Sequence, residues 1–253
     1  MYGEIVGKVS SSGEKKEGLF DKSIFKYLVG AMIAGIFVGI GALTMGLNNM
    51  IFKDFDYPIV KIVNGIIFTL ALSLVMACGG ELFTGNILVF TTRKLEKKIS
   101  LTKVIKICAM SYIGNFLGAL FLTLLFIGSE GLNTPMTESL VALANTKASY
   151  PVMNLFFKGV LCNILVCMGV LAYYKMNSES AKLIMLFWCI LPFVALGFEH
   201  SIANMTIFSI AKIVSSEFTF GLIFGNLIPV TLGNILGGAL VALAYFFVGK
   251  ESK

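Results

Sequence analysis

The sequence predicts an all-α integral membrane protein, with six transmembrane helices arranged as two inverted three-helix repeats and helices two and five broken. Two observations carry this expectation. Long stretches of the chain lack any charge, and one residue pattern occurs twice, at matching places in the two halves. Of the 253 residues, 57% are hydrophobic and 13% charged, against ~45–50% and ~25% in soluble domains. The arrangement decides the class, because a bilayer core is crossed by ~20 consecutive apolar helical residues.

The first 26 residues are polar and carry Lys8, Lys15, Lys16, Lys22 and Lys26. They hold no apolar core of their own, so a tail is expected here and a cleaved signal peptide is not. Span one is Tyr27 to Phe52, 26 residues without a charge. Span two, Ile62 to Thr92, has Glu81 as its one charged residue, and span three, Ile107 to Ser129, has none over 23 residues. Span four, Ala148 to Tyr174, contains only Lys158. Span five, Leu183 to Ala211, contains only the adjacent Glu199 and His200, and span six, Phe218 to Gly249, is charge-free for 32 residues. The expected organisation is an N-terminal tail (1–26), a transmembrane domain (27–249) with repeat one at 27–129 and repeat two at 148–249, and a C-terminus at 250–253.

Six spans put both termini on one side, and basic residues decide which. The tail, Arg93 to Lys106, Lys175, Lys182, Lys250 and Lys253 place 15 of 20 basic residues on one face. The opposite face holds Lys53, Lys61, Lys147, Lys158 and Lys212, offset by Asp54, Asp56, Glu130, Glu138 and Glu217. Both termini are therefore expected in the cytoplasm of a multi-pass protein of the cell membrane. The basic balance follows from this topology and gives no sign of nucleic-acid binding. The five cysteines (Cys78, Cys108, Cys162, Cys167, Cys189) lie in apolar segments with no Cys-x-x-Cys pair. Neither a disulfide framework nor a zinc site is expected, and no metal or other cofactor.

The internal repeat reads Gly-x-Glu-x4-Asn-x3-Phe: Gly79, Glu81, Asn86 and Phe90 in span two, and Gly197, Glu199, Asn204 and Phe208 in span five. A Gly-Asn-x-x-Gly match follows in each half, at Gly114-Asn115 to Gly118 and Gly233-Asn234 to Gly237. Its asparagine falls 34 residues after Glu81 and 35 after Glu199. Spans one and four match only weakly. Three spans per half make the second half enter from the opposite side, an arrangement that transporters use to build a central site from discontinuous helices. Gly79, Gly80 and Gly197 supply the backbone freedom for the breaks. Such breaks are tolerated at membrane depth only where they are buried or line a watery path. Glu81, Glu199, Asn86 and Asn204 suit the role of supporting the breaks; direct contact of the glutamates with a solute stays open. His200, the one histidine, is costly to keep in a span and titrates near neutral pH, which marks it as functional. With no second histidine to share ligation, no metal site is expected. Small-residue pairs such as Gly35 and Gly39 let helices approach closely.

Glu81-Leu82-Phe83-Thr84-Gly85-Asn86, Gly197 to Asn204, and Asn226-Leu227-Ile228-Pro229-Val230-Thr231-Leu232-Gly233-Asn234 resemble the formate/nitrite transporter family, and the resemblance extends from span one to span six. It implies an aquaporin-like fold, a pentamer with one pore per protomer, and small monovalent anions (formate, nitrite, lactate or hydrosulfide) as cargo, with no enzymatic activity. The hydrosulfide-channel subgroup is the part of the family it most resembles. By the same resemblance His200 is the central histidine, and Thr84 belongs to the loop that interrupts helix two. Phe68, Leu72, Leu82, Phe83 and Phe193 fall on apolar constrictions, Lys147 on the vestibule, and Asn163 on a further family position. His200 either stays charged as a counter-ion or protonates the solute, which would couple transport to protons. An aquaporin-like neutral-solute channel is the alternative, disfavoured because Asn86 and Asn204 are not followed by Pro-Ala. A membrane-embedded redox enzyme is the more remote one, since a single histidine and scattered cysteines give it little support.

Overall fold

A computed structural model describes residues 2–55 and 57–249; Asp56, Lys250 and Lys253, with the C-terminal segment 250–253, lie outside the described residues. The described chain is all-helical. α1 (Tyr2–Lys22) precedes α2 (Ile24–Ile51), α3 (Tyr57–Cys78) and α4 (Phe83–Leu95), followed by α5 (Leu101–Glu130) and α6 (Pro135–Ala148). α7 (Val152–Lys175), α8 (Glu179–Ala195), α9 (Ser201–Val214) and α10 (Phe220–Gly249) complete the order. Among the described residues, α2, α3, α5, α7 and α10 are long and apolar enough to cross a membrane. The segments expected as spans two and five are each divided, between α3 and α4 and between α8 and α9. Span five therefore contains no single crossing helix, only pieces of 17 and 14 residues.

Local chemistry sets the ends. Ser23, Ser100 and Ser178 accept from backbone N–H groups three residues on and start α2, α5 and α8. Thr134 and Thr137 form a reciprocal capping box ahead of Pro135 at the first position of α6, satisfying donors that the first turn leaves free. The polar sequence of α1 predicts a tail, yet Ile5, Val6, Val9 and Phe20 give it a buried side. It packs along α4 and α10 and bonds to α4, the following loop and the first turn of α5. The Arg93 guanidinium pairs with Glu17 at 2.8 Å and donates to the Ser10 carbonyl at 3.2 Å, the Ser10 hydroxyl donates to Glu96, and Lys103 pairs with Asp21.

Packing repeats between the halves. α2 lies against α5 as α7 lies against α10, and α3 meets α8. The glycines of the duplicated motif make the approach close. A Cβ on Gly114 or Gly118 would strike the carbonyl of Leu28 or Met32, and one on Gly233 or Gly237 that of Phe156 or Val160. Small residues are what allow backbones this near each other in a membrane. α4 and α9 run through the middle, with Phe83–Phe90 and Ser201–Phe208 buried throughout.

Candidate functional site: a pore at two facing half-helices

The breaks begin where Gly79 and Gly197 take positive φ values of 87° and 71°, a conformation costly for residues with a Cβ. Extended backbone then leads into α4 and α9. The freed polar groups are satisfied in the same way twice. Glu81 N–H donates to Gly30 C=O (3.1 Å) and Glu199 N–H to Lys158 C=O (3.3 Å). Asn115 accepts from Phe83 N–H (2.9 Å) and donates to the carbonyls of Ala31 (2.7 Å) and Glu81 (3.1 Å). Asn234 accepts from Ser201 N–H (3.0 Å) and donates to Gly159 (2.8 Å) and Glu199 (3.0 Å). Gly30-Ala31 and Lys158-Gly159 thus correspond, although spans one and four match poorly in sequence; their shared element is a backbone carbonyl, which leaves no mark on residue identity.

The carboxylates are bonded in parallel. Asn86 Nδ2 donates to Glu81 (3.1 Å) and Asn204 Nδ2 to Glu199 (2.6 Å). Each glutamate also holds a lysine from a helix outside the predicted spans: Lys16 of α1 on Glu81 at 2.8 Å, Lys147 of α6 on Glu199 at 2.9 Å. The family resemblance points to Lys147 as a vestibule residue. Nothing in the sequence points to Lys16, because a tail lysine is indistinguishable from its neighbours until α1 docks. The Glu199 network also closes on itself. Asn204 Nδ2 reaches Asn226 Oδ1 (2.8 Å), and Asn226 Nδ2 donates to the Lys147 carbonyl (2.9 Å). On the other side Asn86 ends instead on Tyr27 and Ser111.

His200 is the N-cap of α9. Its Nδ1 accepts from Ala203 N–H at 3.3 Å, so the proton of the neutral ring sits on Nε2. Nε2 lies 3.1 Å from Thr84 Oγ1 in the first turn of α4. The two half-helices therefore meet at their N-terminal ends, and with Nε2–H donating, the Thr84 hydroxyl keeps its own proton for another acceptor.

Three cavities adjoin one another beside this contact, and His200 lines the first two. A vestibule of about 540 Å³ includes Lys147, Glu199, Phe68, Phe193 and His200 in its wall. A small void of about 10 Å³ follows, walled by Phe68, Phe193, His200, Leu72 and Leu82. Leu72 and Leu82 are shared with a third, of about 20 Å³, which Lys16 and Asn86 also line. The Phe68 and Phe193 rings meet edge-on at 5.7 Å. The structure thus brings together His200, Thr84, Phe68, Leu72, Leu82 and Phe193. Phe83 stands apart, its ring packed on Tyr112 at 4.9 Å. Asn163 is wholly buried behind the site, donating to the carbonyls of Thr84 (3.3 Å) and Asn234 (2.6 Å).

Apolar helices, paired half-helices and a buried path between them define a multi-pass membrane transport protein. Comparison with known proteins makes the class specific: residues 3–248 match the family model described as formate/nitrite transporter, and the chain belongs to that family, whose members are transporters and channels, not enzymes. It is 34% identical over 258 aligned residues to the nitrite transporter NirC of Escherichia coli, covering 100% of this chain and 94% of that protein. Among solved structures it is similar to an FNT family ion channel, at a TM-score of 0.90 and 32% identity, over 96% of this chain and 98% of that one. A pentameric formate channel with formate bound is similar at a TM-score of 0.81 and 28% identity, covering 90% and 97%.

Proposed function

We propose that the protein is a channel or transporter for small monovalent anions of the formate, nitrite or hydrosulfide type, with one pore in each protomer of a pentamer and both termini cytoplasmic. The observation that carries this reading is the meeting of the α4 and α9 N-termini at Thr84 and His200 between two narrow apolar passages. Each helix N-terminus carries roughly half a positive elementary charge. Two of them meeting beside one small void favour an anion without a fixed cation that would hold it too tightly. Phe68 with Phe193, and Leu72 with Leu82, strip water from whatever passes, which penalises large or divalent ions most. The Thr84 hydroxyl offers a hydrogen bond at the centre. The His200 proton either remains on the ring or is passed through Thr84 to the anion, and the pH dependence of flux separates these.

Glu81, Glu199, Asn86 and Asn204 act in this reading as braces for the breaks, since lysine and asparagine donors already occupy the carboxylates. Lys147 holds Glu199 at the outer mouth, and Lys16 holds Glu81 at the inner one. The cytoplasmic orientation is supported by the docking of α1 against Arg93, Glu96 and Lys103, which joins the basic tail to the basic loop on one face. The transmembrane domain is taken as 27–249, crossing six times, with lipid around it.

Purified protein in vesicles, challenged with formate, nitrite, hydrosulfide, glycerol and water, tests the reading. Saturable anion flux with little glycerol flux is expected, and His200→Phe should alter its pH profile or its order of preference among anions. Glycerol or water flux without anion flux would make the protein a neutral-solute channel. Wild-type rates and pH profile in His200→Phe would return His200 to a packing role.

A further inference from the structure

Lys147 cannot supply the net positive charge of the outer vestibule, because its ammonium is spent on Glu199. That pair, 2.9 Å apart with side chains 12% and 2% exposed, sums to zero charge. Lys53 and Glu138 in the same wall are exposed and opposite in sign, and water screens such charges over ~8–10 Å at physiological salt; Lys61 also lines that wall. Lys158 stands behind that lining, not in it. It is half-buried in α7, and its Nζ lies over the Tyr150 ring, 3.6 Å from the centroid, and 4.0 Å from where a Cβ on Gly197 would sit. Among the described residues no carboxylate lies within ion-pairing distance of it. Tyr150 and Gly197 both line the vestibule.

We infer that Lys158, held against the back of the vestibule wall by the face of Tyr150, adds a positive charge with no carboxylate beside it and so makes the outer vestibule more electropositive and more selective for anions. A ring quadrupole attracts and orients an ammonium without cancelling its charge. The charge acts on the cavity through protein, not bulk water, and is therefore screened less than the rim charges. The Lys158 carbonyl also receives the Glu199 N–H, so the turn carrying this charge is tied to the break and cannot drift from it. Lys158 touches no reacting group; it sets which ions gather before the first constriction. The inference deepens the anion-channel reading and rests on it for its purpose, although the potential itself can be measured without transport.

The test places a thiol in the vestibule by Thr146→Cys, in a Cys78→Ser background because Cys78 is the exposed native cysteine. Reaction rates with an anionic and a cationic methanethiosulfonate reagent are compared in the full-length protein. The anionic-to-cationic rate ratio should fall roughly three- to tenfold in Lys158→Gln, as expected for one unit charge at this range and effective dielectric. Lys158→Arg should restore it, and Tyr150→Ala should lower it by letting the ammonium move into water. Formate flux in the same variants should show a raised KM with an unchanged maximal rate in Lys158→Gln. An unchanged reagent ratio in Lys158→Gln overturns the inference and leaves the channel reading intact. A lowered ratio in a protein that passes no anion upholds the charge assignment and defeats the channel reading instead.

Discussion

At the scale of single residues, the site depends on two buried asparagines that touch no solute path. Asn115 and Asn234 each satisfy one donor and two acceptors at a break, and all of those groups lie where water does not reach. Losing one partner leaves a buried polar group unpaired at a cost of roughly 1–3 kcal/mol. Asn234→Leu or Asn115→Leu should therefore lower the melting temperature in detergent far more than Asn154→Leu, which changes an exposed side chain. Equal melting of all three variants would mean that the breaks hold without the asparagines. These residues are legible in sequence because they recur at a fixed offset, as are Glu81, Glu199 and His200, which are costly in apolar spans. Lys16 and Ser111 carry no such mark, and Asn226 stands out only as part of a segment that resembles the family. Their importance comes from partners far along the chain, and nothing local signals the pairing of Lys16 with a residue 65 positions away.

At the scale of elements, the six apolar segments and both breaks can be read directly, since lipid imposes a length and the repeat imposes a position. α1 cannot. Its apolar positions are sparse, and a helix over 2–22 gains its stability from docking, because polar isolated helices are marginal in water. Its main anchor is Arg93, 6% exposed, with Glu17 and the Ser10 carbonyl as partners. Removing one member of a buried ion pair costs roughly 3–5 kcal/mol. Arg93→Ala should consequently release α1, and tryptic cleavage at Lys8, Lys15 or Lys16 should become at least about tenfold faster, a factor that needs only ~1.4 kcal/mol. Cleavage at the wild-type rate would show that the apolar contacts of Ile5, Val9 and Phe20 suffice. Lys16→Gln separates the two functions of this helix: α1 should stay docked while Glu81 loses its cation.

At the scale of the whole molecule, a single protomer presents wide apolar surfaces, for example Phe121, Leu124 and Leu125 on α5 and Phe224, Ile228 and Leu232 on α10. Lipid and neighbouring protomers can both cover such faces, and five copies joined by one head-to-tail contact close into a ring. Native mass spectrometry in mild detergent should give the pentamer; monomer or dimer alone would count against it. The orientation proposed for that assembly rests on charge. Basic residues on short loops are retained on the cytoplasmic side, and α1 adds a structural reason: Lys16, Glu17 and Asp21 meet Glu81, Arg93 and Lys103, so the N-terminal helix and the α4–α5 loop occupy one face. The Lys147 vestibule belongs to the opposite face, because α6 joins α5 to α7 at their other ends. In sealed cells of a Cys78→Ser strain, a membrane-impermeant maleimide should therefore label Thr146→Cys, while Ser11→Cys, exposed on α1, reacts only after permeabilisation. The reverse pattern would invert the topology, placing Lys16 outside and turning the vestibule lined by Phe68 and Phe193 toward the cytoplasm.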